Sequence, residues 1–255
     1  MNKKVLLIAV LLLSMAGAVQ AEEGRLGVTF DITYMSKWMT KGAEGYSEDG
    51  AVFETIDLDL WGTGAGIAIC HQSATGGGWV DKQRLNYKLY YGSSLFDDQP
   101  YKTKYKLNWI YENWYGRAKS KGDLQEWIFV FSWPEILPVE NLAPYYITHY
   151  LHPAGRNYTN RKISGFVHRF GLGYDLDVDE LPKPLHLSGE IAYRDGYGGP
   201  TKDHDWSHAT LGASTKFQIT DNLAFVPGLY YQISMDDTVC RRDVTYCKLS
   251  MKYKF

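Results

Sequence analysis

An all-β chain closed into an antiparallel transmembrane β-barrel of about twelve strands is the fold class this sequence predicts. Three observations predict it. Apolar and polar residues alternate with a period of two along most of the chain, as in strands with one greasy and one wet face. Beyond residue 21, no apolar run reaches the roughly 20 residues that a spanning helix needs. Short turns also alternate with long, Gly-rich polar loops, the asymmetry of barrels with periplasmic turns and outer loops.

The chain opens with an export signal. Lys3 and Lys4 precede an apolar run from Val5 to Leu13, and Val19 and Ala21 occupy the minus-three and minus-one sites of a cleavage motif. Residues 1–21 therefore read as a secretory signal peptide, and residues 22–255 as a single barrel domain exported to the outer membrane of a diderm bacterium. No cysteine follows the cut to carry a lipid.

The strands follow in order. Leu26, Val28, Phe30, Ile32, Tyr34 and Trp38 share one face, against Thr29, Asp31 and Thr33. Ile56, Leu58 and Leu60 oppose Thr55, Asp57 and Asp59. Leu85, Tyr87, Leu89 and Tyr91 oppose Arg84, Asn86 and Lys88, and Tyr105, Leu107, Trp109 and Tyr111 oppose Lys104, Lys106, Asn108 and Glu112. Trp127, Phe129, Phe131 and Trp133 face away from Glu126 and Ser132. Phe170, Leu172 and Tyr174 oppose Arg169 and two glycines; Leu187, Ile191 and Tyr193 oppose Ser188, Glu190 and Arg194. Leu211, Phe217 and Ile219 oppose Thr210, Ser214 and Lys216, and Leu229, Tyr231 and Ile233 oppose Tyr230 and Gln232. The last strand sets Cys247, Leu249, Met251, Tyr253 and Phe255 against Lys248, Ser250, Lys252 and Lys254. Segments 64–72 and 142–151 are apolar or mixed on both faces, so their facing is undetermined.

A soluble sandwich would bury the apolar face, whereas a membrane barrel turns it toward lipid around a polar lumen. Export, the strand lengths and the 20 Tyr and 8 Trp residues, which suit membrane interfaces, favour the membrane form.

The ending "SMKYKF" resembles the carboxy-terminal signal of bacterial outer-membrane barrels, with Met251, Tyr253 and Phe255 as the row read by the barrel-insertion machinery. More narrowly, "DITYMSKWMTKG", a polar loop and "IDLDLWGTGAGIAI" resemble the start of the TorF-like porin family, at Tyr34, Trp38, Lys41 and Gly42. "LNYKLYYG", "LNWIYENWYG" and "DLQEWIFVFSW" resemble that family's next strands. The resemblance implies an outer-membrane channel-type barrel of unassigned substrate and brings no catalytic residues with it.

The expected function is a porin-like channel for passive diffusion of small, charged solutes, with outer-membrane lipid around it. The candidate pore-lining residues are the polar-face charges Asp31, Asp57, Asp59, Arg84, Lys88, Lys104, Lys106, Glu112, Glu126, Arg169, Glu190, Lys216 and Lys248, because opposed charges in a narrow pore select ions and orient solutes. Alternatively, the same charges pair into a plug, since a barrel of about twelve strands is near the size that side chains fill. A lipid hydrolase is a third reading, drawn from Asp203, His204, Asp205, Ser207 and His208, but no nucleophile-elbow glycines surround Ser207. His204 and His208 lie about 13 Å apart in an extended strand, too far to share a metal. An adhesive barrel acting through its loops is a fourth. Cys240 and Cys247 bracket a loop where an exported protein could form a disulfide, or they remain free with Cys70. A net charge of -2 gives no field for nucleic acid, and no cofactor or metal is implied.

Overall fold

The computed structural model describes residues 26–46, 49–76, 82–115, 122–154, 164–199 and 204–255; the expected leader lies outside them, as does Asp203. Twelve long strands run up and down: β1 (Gly27–Met35), β2 (Ala51–Asp59), β3 (Ala65–Ala74), β4 (Gln83–Leu95), β5 (Thr103–Trp114) and β6 (Leu124–Ser132). The second half repeats the pattern with β7 (Leu142–Pro153), β8 (Gly165–Leu176), β9 (Leu185–Asp195), β10 (Asp205–Ser214), β11 (Leu223–Ser234) and β12 (Val244–Lys254). Every strand pairs antiparallel with its chain neighbours, and β1 pairs with β12 with Ile32 opposite Met251. The ring is therefore closed and has no free edge, which is what hydrocarbon demands of a sheet. No helix of the described residues is long and apolar enough to cross a membrane.

Outward rows carry the apolar side chains. Leu89, Leu172, Leu211 and Leu229 are 48%, 47%, 54% and 59% exposed, a belt that only lipid can cover. Outward aromatics pair toward both ends of the strands. Tyr87–Tyr111 and Tyr150–Phe166 lie toward the loop end, and Tyr91–Tyr105 and Tyr253–Phe255 toward the end that holds Gly27 and Lys254. Such girdles mark the two membrane interfaces, and the short-turn end is periplasmic.

The two segments of undetermined facing are now resolved. In β3, Gly66, Ala68, Cys70 and Gln72 point inward, and a Cβ on Gly66 would lie 2.0 Å from Tyr90 Cζ. Small residues there make room for long inward side chains of β4. In β7, Tyr145, Ile147, His149 and Leu151 point inward, and Leu151 is fully buried.

One expectation of strand facing needs correction. Trp38 does not continue the outward row, because β1 ends at Met35. The Ser36 N–H donates to Cys247 O at 3.0 Å and its Oγ accepts from the Cys247 N–H at 2.9 Å, after which the chain turns into the lumen and buries Trp38. In β10, Trp206 opposes Tyr193 while His208 opposes Ala192, which leaves Ser207 without an opposite residue. Ser207 is the extra residue of a β-bulge. Cys240 and Cys247 are both free thiols. Cys240 is buried in the loop above β12, whereas Cys247 is the fourth residue of that strand and faces outward beside Leu229.

Candidate functional site

The loop after β1 folds inward and shapes the lumen. Met39–Thr40 and Ala43–Glu44 form a two-stranded hairpin around Lys41 and Gly42. Those two residues have φ values of 50° and 84°, the pair of left-handed conformations that a type I′ turn needs and that glycine adopts without strain. Gly42 is also the only residue that fits, because a Cβ would lie 2.3 Å from His208 Nδ1.

This hairpin reaches the far wall. Lys41 Nζ lies 3.0 Å from Glu126 Oε1 on β6, and Glu126 Oε1 is also 2.8 Å from His149 Nδ1 on β7. Arg194 Nη2 on β9 donates to Lys41 O at 2.6 Å, and Gln232 Nε2 on β11 donates to Gly42 O at 2.8 Å. In a ring of twelve, β7 stands opposite β1. The loop thus spans the full width of the lumen. Burial disfavours the Lys41 ammonium, but Glu126 foremost among its charged neighbours outweighs that and raises its pKa above the ordinary lysine value, so the charge persists at neutral pH.

The root of the loop is fixed by aromatic packing. Trp38 and Tyr46 have ring centroids 4.2 Å apart. The Arg84 guanidinium lies 4.8 Å from the Trp38 ring and 5.3 Å from Trp114, a cation–π contact on two faces. Arg84 also donates to Gln72 Oε1 at 2.5 Å and to Glu112 Oε2 at 2.6 Å.

Below the loop, the periplasmic half of the lumen stays open in two cavities. One, of about 420 Å³, lies among β12, β1, β2 and β4 and includes Asp31, Asp57, Lys88, Lys248 and Lys252. The other, of about 410 Å³, includes Tyr145, Arg169, His186, Glu190, Tyr230 and Tyr246.

The charges expected along the lumen fall into four groups. Arg84, Glu112 and Glu126 lie in the outer half, buried around the loop. Asp31, Asp57, Lys88, Arg169, Glu190 and Lys248 line the two cavities. Lys106 sits lower, opposite Gly92 on β4, its Nζ 4.0 Å from the Tyr90 ring centroid. Asp59, Lys104 and Lys216 are exposed at the periplasmic rim rather than on the lumen wall, because their strands end there: Asp59 is the last residue of β2, Lys104 the second of β5, and Lys216 follows the end of β10. A basic sector facing an acidic one does not form. Instead, charges neutralise locally along the wall: Arg84 with Glu112 and Arg169 with Glu190 at 2.6 Å across adjacent strands, and Lys88 with Asp57 at 3.5 Å over the small residues of β3 between them.

Met251, Tyr253 and Phe255 lie on the outward row of β12, where Tyr253 opposes Phe30 and the Phe255 N–H donates to Val28 O at 3.0 Å. Ser207 Oγ is 2.9 Å from His208 Nδ1 and donates to Ala192 O at 3.2 Å; both residues are buried, and the His208 ring lies against Gly42. This pair seats the hairpin.

The functional group that sequence reasoning missed is the loop itself. "TKG" between polar residues carries the turn signal of a hairpin, yet nothing local says that it points inward.

No family model and no curated protein matches the sequence. Solved structures do. The barrel is similar to the KdgM porin, with a TM-score of 0.53 and 9% identity over 89% of this chain and 99% of that one. It is similar also to the NanC porin, with a TM-score of 0.52 and 10% identity over 89% of this chain and all of that one. At such identities the likeness concerns the fold.

Proposed function

We propose that this chain is an outer-membrane channel of the porin type, through which small charged solutes diffuse passively, with the loop after β1 as its constriction. The observation that carries this reading is the open, charged periplasmic half of the lumen beneath a single inward loop. A barrel filled for stability alone would carry packed side chains there. The seat of the loop is also incompletely satisfied: among the described residues, the buried Gln72 Nε2, His149 Nε2 and Arg194 Nε have no hydrogen-bond partner. Each such group offsets part of what the ion pair contributes, which favours a loop that yields over a permanent plug.

The plugged barrel is the second reading, favoured by the loop's reach to the far wall. Purified protein in a planar bilayer separates the two. The channel reading expects stepwise currents that scale with salt concentration; flat baselines with correctly folded protein would establish the plug. In a salt gradient, Lys88→Glu with Lys106→Glu is expected to move the reversal potential toward cation preference, since both are cations of the inward face below the loop. An unchanged potential would remove them from the solute path.

Within the porin class, we infer kinship with the TorF-like porins on the first-half motifs. The motif residues Trp38, Lys41 and Gly42 are the root and tip of the inward loop, which gives the motif a physical purpose. We infer likewise that Met251, Tyr253 and Phe255 are read by the barrel-insertion machinery. Deleting Phe255 is expected to lower the fraction of chain that assembles in cells, measured by heat-modifiable gel migration of envelope protein. Assembly at the wild-type level would end that assignment.

A further inference from the structure

The cavity among β12, β1, β2 and β4 holds three lysines and two aspartates. Both aspartates are engaged. Asp57 lies 3.5 Å from Lys88 Nζ and accepts from the Tyr90 hydroxyl at 2.6 Å. Asp31 lies 3.5 Å from Lys252 Nζ and accepts from Thr33 Oγ1 at 2.6 Å. Lys248 is left over.

Its cross-strand neighbours explain why. Lys248 stands between Met35 on β1 and Gly228 on β11, one apolar and one without a side chain. Among the described residues, no carboxylate lies within ion-pair distance of its ammonium. Lys248 therefore lines the open cavity with no charged partner of its own, and an anionic solute can take the place of the water that solvates it.

We propose that this cavity is a binding site for small organic monoanions, with Lys248 holding the oxyanion head. The chemistry of the walls supports that class. Met35, opposite Lys248, and Phe53, opposite Thr33, give an apolar surface beside the head, and the hydroxyls of Thr55 and Thr29 lie further down the same wall for the body of the solute. A dianion fits less well, because Asp31 and Asp57 stand on the same wall. A volume of about 420 Å³ accepts a solute of sugar-acid size. This inference rests on the channel reading only for how the anion arrives, not for how it binds.

The test is calorimetric titration of the full detergent-solubilised barrel with gluconate, with glucose as the uncharged comparison. Gluconate is expected to bind at least about tenfold more tightly than glucose, the scale of one charged hydrogen bond. Lys248→Gln should weaken gluconate by about the same factor. Lys248→Arg should keep affinity near wild type, and Lys216→Gln, exposed at the periplasmic rim, should not change it. Heat-modifiable migration checks that each variant is folded. Equal binding of gluconate to wild type and Lys248→Gln, or equal binding of gluconate and glucose, overturns the site. Because this measurement needs no conduction, gluconate binding without bilayer currents would remove the channel and keep the site. Currents without gluconate binding would remove the site and keep the channel.

Discussion

Excising residues 39–44 and joining Trp38 to Gly45 is expected to raise single-channel conductance several-fold. The excised hairpin is the part of the chain that reaches Glu126, Arg194 and Gln232 across the lumen. Its removal clears the outer half without touching a wall strand, since β1 ends at Met35 and β2 begins at Ala51. The two ends are already adjacent: the Gly45 N–H donates to Trp38 O at 2.7 Å. The shortened loop can therefore keep Trp38 packed on Tyr46 and beneath Arg84. Current through a narrow pore is governed by its tightest cross-section, so the gain should appear in step size rather than in open time. A deletion variant that assembles, by heat-modifiable migration, yet conducts like wild type would show that the hairpin does not limit passage.

Glu126→Ala should release the same hairpin without removing it. The side chains of Lys41 and Glu126 are 11% and 5% exposed. Deleting one partner of a buried pair costs about 3–5 kcal/mol, because the remaining charge stays buried without compensation. The Lys41 charge has an escape: the loop can swing outward and hydrate it. In wild type, trypsin should leave the Lys41–Gly42 bond intact. In Glu126→Ala, cleavage there is expected together with noisier, larger currents. Removing both charges tests the cause. Lys41→Met with Glu126→Leu keeps the bulk and discards the desolvation cost, so it should restore protection. Cleavage of the double variant at the rate of the single one would place the loop's hold elsewhere, in the backbone contacts to Arg194 and Gln232.

The strands were legible because lipid and water impose opposite demands on successive residues. Where both demands act, as along β4 with Leu85, Tyr87, Leu89 and Tyr91 outward and Arg84 and Lys88 inward, the two-residue period is clean. It fails at β3 and β7 for one reason. The inward residues there face protein rather than water. Gly66 lies against Tyr90, and Leu151, fully buried, lies in the half of the lumen that the loop fills. A filled lumen no longer requires polar side chains, so the alternation disappears from the sequence at the strands that line it. Trp38 misleads for the same reason: an apolar residue in step with an outward row can serve an interior that the sequence does not announce.

The charges divide in the same way. Their placement on the inward face follows from the period, but their partners do not. Arg84 meets Glu112 across one strand pairing, and Lys88 meets Asp57 across two, with β3 between them; the register of each is set by turns and by closure.

Period and connection lengths in the sequence determined a barrel with a lipid-facing outside and a charged inside, because both are local consequences of which solvent a residue meets. The path of the loop was decided only in three dimensions. Its tip is held by Arg194 and Gln232, 153 and 190 residues away, and such contacts exist only once the ring has closed and brought the opposite wall within reach.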